Sequence, residues 1–402
     1  MDLHRRTFAA LRHRNFRLFW IAQLISLTGT WMHAVAQGWL VLELTDQPFW
    51  LGAVGAAGTL PVLAFSLLGG VAADRLPKRA LLIASQSASA TLALFLGLLA
   101  LSGQVQVWHV LIVALALGTA NALDLPARQS FIVEMVGRED LLNAIALNSF
   151  TFNAARVVGP AVAGVIVAAA GAPACFLVNA ASFIPVVAAL GMMRDLPGAR
   201  QARPGSVATD LREGLAYVLR ERRFQGFIGL VAMGSFFGFP CITLLPAFAR
   251  DVLHAGAHGY GLLMAMTGVG AVVSALALAG RQRSGVSGGV VVWAGVAFGA
   301  ALVVFAAARS FAVAAPLLVI AGAAMVAQAA TANTLVQAMV PDVLRGRIMS
   351  VFTLVLMGAM PLGNIVIGAL AELIGTTAAI AAFGLGLCAA VGAIAAVRRE
   401  VF

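Results

Sequence analysis

Apolar runs of about twenty residues recur along this chain, separated by short polar links. A run of ~20 residues is long enough for a helix to cross a ~30 Å hydrocarbon core. The pattern predicts twelve such helices, near 17–43, 49–73, 80–102, 107–134, 141–171, 173–193, 225–249, 258–280, 288–308, 311–338, 345–374 and 376–397. Most links are very short. The stretch 194–223 is the exception, being polar, arginine-rich and central, and it divides the spans six and six. The expected architecture is therefore an all-α integral membrane protein. It has an N-terminal six-helix bundle at 1–193, a cytoplasmic central loop at 194–223 and a C-terminal six-helix bundle at 224–402.

Composition agrees. Of 402 residues, 61% are hydrophobic and 10% charged, against ~25% charged in a soluble domain. So little polar surface cannot face water, and the solvent must be lipid. The net charge of +10 taken alone would point to nucleic acid, but its placement argues against that. With the N-terminus inside, 23 of the 26 Lys and Arg fall on cytoplasmic links or termini; Arg250 and Arg309 fall outside, and Arg156 lies within a span. The positive-inside rule then puts both termini in the cytoplasm. The basic start followed by an apolar run imitates a signal peptide. The run is too long for one, and further spans follow it, so cleavage is not expected.

Several chemistries are excluded. Lys78 is the single lysine, so no phosphate-binding G-x-x-x-x-G-K loop exists. Cys175, Cys241 and Cys388 lie far apart in apolar runs, without disulfide or zinc spacing. Gly285–Gly289 satisfies G-x-S-x-G, but no strand precedes it. His254 and His258 lack a third metal ligand of proven geometry. No enzyme, metal or cofactor is expected.

An internal repeat supports the division. Shifted by 204 residues, Gly118 meets Gly322, Gly159 meets Gly363, Gly164 meets Gly368 and Gly171 meets Gly375, with no gap over about 54 residues. Duplicated halves of this kind are typical of transporters whose substrate site lies near the midplane.

The link after the second span reads G-x-x-x-D-R-x-x-K-R, comprising Gly70, Asp74, Arg75, Lys78 and Arg79. Here the chain resembles the major facilitator superfamily, which carries G-x-x-x-D-R-x-G-R-[RK] in the same loop. Pro77 replaces the second glycine. The segments 118–164 and 28–44 look like the bacterial exporter branch that includes enterobactin, macrolide and multidrug exporters. The resemblance implies a cytoplasmic gate: Asp74 meets the start of the eleventh span near Pro341–Arg347, and the basic residues pair with Asp124 of the fourth. A topology signal alone is the other reading. Gly159, Pro160 and Gly164 partly match the fifth-helix motif of antiporters, with Ala146 and Ala155 where that motif has glycines.

Gln23, Ser26, Thr30, His33 and Gln37 fall at spacings of three and four, on one face of the first span. A polar stripe facing lipid is costly, so it faces the interior. In the resembled family the first, fourth, seventh and tenth helices surround the cavity, which makes the stripe a cavity wall; interhelical hydrogen bonding is the alternative. His33 is either a structural group or a proton carrier. Asn121, Asp124 and Arg128 share a face of the fourth span, and Ser149, Asn153 and Arg156 a face of the fifth. Arg156, about fifteen residues into its span, needs a partner or water. It attracts an anionic substrate group or pairs with Asp124. Phe236 of the seventh span and Trp31 of the first offer aromatic faces, while Gln328 and Asn333 of the tenth add hydrogen-bonding groups. Glu43, Asp46 and Glu372 fall at outer helix ends.

The function expected from residues and resemblance together is export of a small organic molecule by alternating access, coupled to protons. A dedicated siderophore or lysophospholipid exporter is the alternative, and a sensor or scaffold without transport is a third. The expected partners are the substrate, protons and the bilayer, with no nucleic acid, and the chain is expected to be a monomer.

Overall fold

The structure, a computed structural model, describes residues 8–194, 207–281, 287–341 and 344–398. All regular elements among the described residues are helical. The first four spans are Arg14–Thr45, Pro48–Arg75, Lys78–Leu101 and Val107–Val136. The helix Leu141–Ser182 is too long for one crossing and is broken at Gly171, whose φ of 78° and ψ of 169° leave helical space. The fifth span lies before that glycine. The sixth follows it and continues through Ile184–Met192. The later spans are Arg222–Val252, Gly256–Arg281, Gly288–Ala307, Phe311–Met339, Arg345–Ile374 and Thr376–Val397. Eleven apolar stretches have spanning length, and division of one at Gly171 makes twelve among the described residues.

The central stretch corrects the expectation of a plain loop. Val207–Arg220 is a helix, and the seventh span starts directly after it at Arg222. Its leucines and valines recur at helical spacing (Leu211, Leu215, Val218), but charged residues between them hide the pattern. Glu213 pairs with Arg347 at the start of the eleventh span.

The seventh span is irregular, with widened turns at Gly234–Gly238 and Phe248–Val252. There the amides of Phe239 and Leu253 reach back five residues, to the carbonyls of Gly234 and Phe248. Pro240 and Pro246 have no amide proton to continue a regular ladder.

The repeat is visible in the backbone. Gly171 and Gly375 occupy the same unusual conformation, with φ of 78° and 86°, at the turns joining spans five to six and eleven to twelve. That region favours glycine because no Cβ collides. Gly159 packs the fifth span on the first, where a Cβ would lie 2.6 Å from Trp31 Cβ and 2.9 Å from the Thr28 carbonyl oxygen. Its counterpart Gly363 packs the eleventh span on the seventh, at the Phe236 carbonyl and Pro240. Gly159→Val is therefore expected to cut the yield of monodisperse protein and lower its melting temperature, at a cost of about 1–3 kcal/mol or more. Gly70→Ala, with nothing within 4 Å of its added Cβ, is expected to leave both unchanged.

By its contacts the chain forms two compact units, one of Met1–Leu40 with Leu60–Pro204 and one of Val41–Thr59 with Gly205–Phe402. This differs from the expected boundary in that the end of the first span and the start of the second fall in the same unit as the C-terminal spans. In the first unit, Phe16, Phe19, Leu82, Phe131 and Leu190 form an apolar core around the start of the first span. Phe19 and Phe131 meet edge to face at 6.2 Å. The second unit contains a close backbone approach of the second span to the eleventh, made possible by Gly52 and Gly368.

Candidate functional site

The polar stripe of the first span is not one open wall. Gln23, Ser26 and His33 are buried, Gln37 is half-buried and Thr30 is exposed. Gly29 lies on the same face, and it lets Asn179 and Ser182 of the sixth span come so close that a Cβ would clash with both. Phe176 covers His33 with ring centroids 4.8 Å apart. His33 Nε2 lies 3.2 Å from Gln37 Oε1, and the Thr30 hydroxyl donates to the Ser26 carbonyl at 3.0 Å. Gln23, Ser26 and His33 are thus closed in rather than facing an open wall, and the sixth span covers the face at Gly29 and His33, as interhelical packing would have it.

The charged loop is anchored differently from expectation. Lys78 pairs with Glu134 of the fourth span, and Arg79 Nη2 donates to the Gly191 carbonyl at 2.7 Å. Asp124 pairs instead with Arg128 of its own helix. It also accepts from Ser85 Oγ at 2.9 Å and Gln86 Nε2 at 2.7 Å. Asp124 is 3% exposed, so its carboxylate is spent inside the unit. Arg75 is exposed. The side chain of Asp74 and residues 342–343 lie outside what the structure describes. Gly70 has open space around it. Its neighbour Gly69 takes the close approach, against the Ala122 carbonyl. Glu134, Ser85, Gln86 and Gly69 were not singled out by sequence, because nothing in the sequence says which helix lies opposite the loop.

Arg156 also departs from one expected pairing, since Asp124 is held by Arg128. The guanidinium carbon of Arg156 lies 5.8 Å from the centroid of the Trp31 ring. Trp31 meets Phe152 edge-on at 5.9 Å. Asn153, one turn before Arg156, donates to the Ser149 carbonyl at 2.8 Å. Asn153 and Arg156 are both half-buried, and Asn121 is exposed. Gly159, Pro160 and Gly164 are buried helix-packing positions.

In the second unit Phe236 is half-buried beside Phe237 at 4.8 Å and Phe383 at 6.0 Å. Gln328 is buried and donates to the Leu230 carbonyl at 3.2 Å. It fills space left by Gly234 and Gly295, so it closes a helix contact and does not face an open cavity. Asn333 does line an open cavity of about 290 Å³, with Ala329, Ala330, Phe352, Thr353 and Leu356. Asn364 is fully buried and accepts from Thr243 Oγ1 at 3.0 Å. Arg250 pairs with Asp46 and Asp251. Among the described residues no three His, Cys, Asp or Glu side chains are grouped to hold a metal ion.

Helices of this number, length and duplicated packing define a multi-pass, all-α membrane protein. The solved structure of the nucleoside transporter NupG superposes with a TM-score of 0.78 over 96% of this chain and all of that one, at 16% identity. The family model of transmembrane secretion effectors matches residues 5–401, and the chain belongs to that family. It is 29% identical over 379 residues to the multidrug efflux pump Tap of Mycolicibacterium fortuitum, covering 92% of each chain. It is 28% identical over 269 residues to the staphyloferrin A transporter of Staphylococcus aureus, covering 65% of this chain and 66% of that one. The family and these relatives are transporters, not enzymes.

Proposed function

We propose that this protein exports a small organic molecule across the bacterial inner membrane by alternating access, driven by inward proton flow. The observation that carries this reading is the match to an efflux pump along nearly the whole of both chains. The antiporter-like run at Gly159, Pro160 and Gly164 supports proton coupling. The charge asymmetry of the links supports cytoplasmic termini. The loop from Gly70 to Arg79 acts as the cytoplasmic gate, with Lys78 and Arg79 as its anchors and Asp74 as its moving contact. In the first unit the exposed and half-buried polar groups Thr30, Gln37, Asn121, Asn153 and Arg156 serve substrate binding, and in the second unit Asn333 and Phe236 do. The protein acts as a monomer. Export dedicated to a siderophore is the second reading, and the similarity to the staphyloferrin A transporter favours it.

The test is transport by the purified protein in proteoliposomes. Under an imposed pH gradient, a panel of dyes, macrolides and catecholate siderophores is followed with time. Gradient-dependent movement of several unrelated compounds is expected. Movement of one class alone selects the dedicated exporter. Movement indifferent to the gradient removes proton coupling, and no movement of any compound counts against transport itself.

A further inference from the structure

We infer that Arg156, stacked beside Trp31, is the recognition point for an anionic group, a carboxylate in the first instance, on an aromatic-bodied substrate. The inference rests on the transporter reading above and narrows its substrate class.

The position is the first argument. Arg156 lies fifteen residues after the helix start at Leu141 and fifteen before the break at Gly171. At ~1.5 Å per residue that puts it about 22 Å from either end, midway along the fifth span. A permanent positive charge at that depth is retained only where water, a counter-ion or a ligand meets it.

The second argument is charge accounting inside the first unit. Asp124 is satisfied by Arg128, Ser85 and Gln86, and Glu134 by Lys78. Each of these pairs closes on itself. Among the described residues no carboxylate and no hydrogen-bond acceptor reaches Arg156. Its one described partner is the Trp31 ring. A cation over an aromatic face is attracted by the ring quadrupole, yet its charge is not neutralised. The guanidinium carries five N–H donors in a fork that matches a carboxylate two by two. Those donors are unspent here.

The third argument is rigidity. Gly159 lets the first span approach until Trp31 Cβ would lie 2.6 Å from an added Cβ, and the edge of Trp31 abuts Phe152. The ring is thereby held as a platform on a span, with little freedom to lose when a ligand binds. Phe152, Trp31 and Arg156 run as one strip, with an aromatic body at one end and a cation at the other. A ligand that complements it has a flat apolar ring and an anionic arm. Lipophilic cations do not complement it, because the described carboxylates of this unit's spans, Asp124 and Glu134, are already engaged.

Equilibrium binding to the purified full-length protein in nanodiscs tests this apart from transport. Three probes share one ring and differ in charge: 2-naphthylacetate, 2-naphthylacetamide and (2-naphthylmethyl)trimethylammonium. The acetate is expected to bind about tenfold or more tightly than the amide, and the ammonium to bind weakest. Arg156→Gln is expected to abolish the advantage of the acetate while leaving the amide unchanged, and Arg156→Lys to keep part of it. Should the glutamine variant fail to fold, the wild-type charge series and the lysine variant decide. Equal binding of acetate and amide, preference for the ammonium, or no saturable binding of the acetate overturns the inference. So does an acetate advantage that survives Arg156→Gln. Because no gradient or movement is involved, these outcomes are separate from a failure of the proteoliposome assay, which would strike the exporter reading instead.

Discussion

Replacing Asp124 with alanine is expected to destabilise the folded protein by about 3–5 kcal/mol, the usual cost of leaving a buried cation without its partner. Both Asp124 and Arg128 have little exposure, 5% and 13% for their side chains. The carboxylate gathers Arg128, Ser85 and Gln86 into one network joining the third and fourth spans. Removing it strands the Arg128 and Gln86 donors, while Ser85 Oγ keeps the Leu82 carbonyl at 3.1 Å. Arg128 carries most of the penalty, so Asp124→Leu combined with Arg128→Met is expected to recover much of the loss. Thermal unfolding in detergent, read by size exclusion, checks both. An unchanged midpoint for the alanine variant would show that the network contributes nothing, and a double variant no better than the single would place the loss elsewhere.

Gly52→Val is expected to lower export by about tenfold or more while the protein still inserts. A Cβ at Gly52 would run into the Asn364 carbonyl oxygen and lie 3.0 Å from Gly368 Cα. Both are backbone atoms of the eleventh span, so no side-chain rotation relieves the clash. An overpacking cost of about 1–3 kcal/mol, placed on one arrangement of the chain, changes its population by roughly 5- to 150-fold. In the alternating-access cycle proposed above each arrangement is visited in turn, so this loss falls on rate. Gly58, less than two turns further along the same helix, has nothing within 4 Å of its added Cβ. Gly58→Val is therefore the control, with near-normal export expected. Initial rates in proteoliposomes at matched protein content decide, and equal rates for the two variants would remove the contact from the transport cycle.

Much of the fold is legible in the sequence because lipid imposes a length rule. A span must be apolar for about twenty residues, and Lys and Arg must stay on one side. Gly171 and Gly375 are legible as paired positions because only glycine tolerates their φ values of 78° and 86°. The helix Val207–Arg220 is harder to see, since its apolar positions are diluted by charge.

The site is less legible, for a reason particular to packed helices. Spacing says that Gln23, Ser26, Thr30, His33 and Gln37 share a face, but it does not say what covers that face. Around Gly29 and His33 it is Phe176, Asn179 and Ser182 that do so, some 150 residues away in sequence. Loop charges likewise take the nearest partner in space, so Lys78 finds Glu134 and Asp124 keeps Arg128. Gly69 and not Gly70 takes the tight contact because the helix turns that side toward Ala122.

The sequence by itself determined the all-α membrane architecture, the run of spanning helices, the charge asymmetry of the links and the paired glycines Gly171 and Gly375. Each of these follows from local rules of length, charge and backbone conformation. Only the tertiary structure decided which polar groups are closed in and which charges cancel. It also placed the Arg156 guanidinium beside the Trp31 ring, with no acceptor reaching it among the described residues. Those outcomes depend on neighbours supplied by distant segments, and no periodicity along one helix contains them.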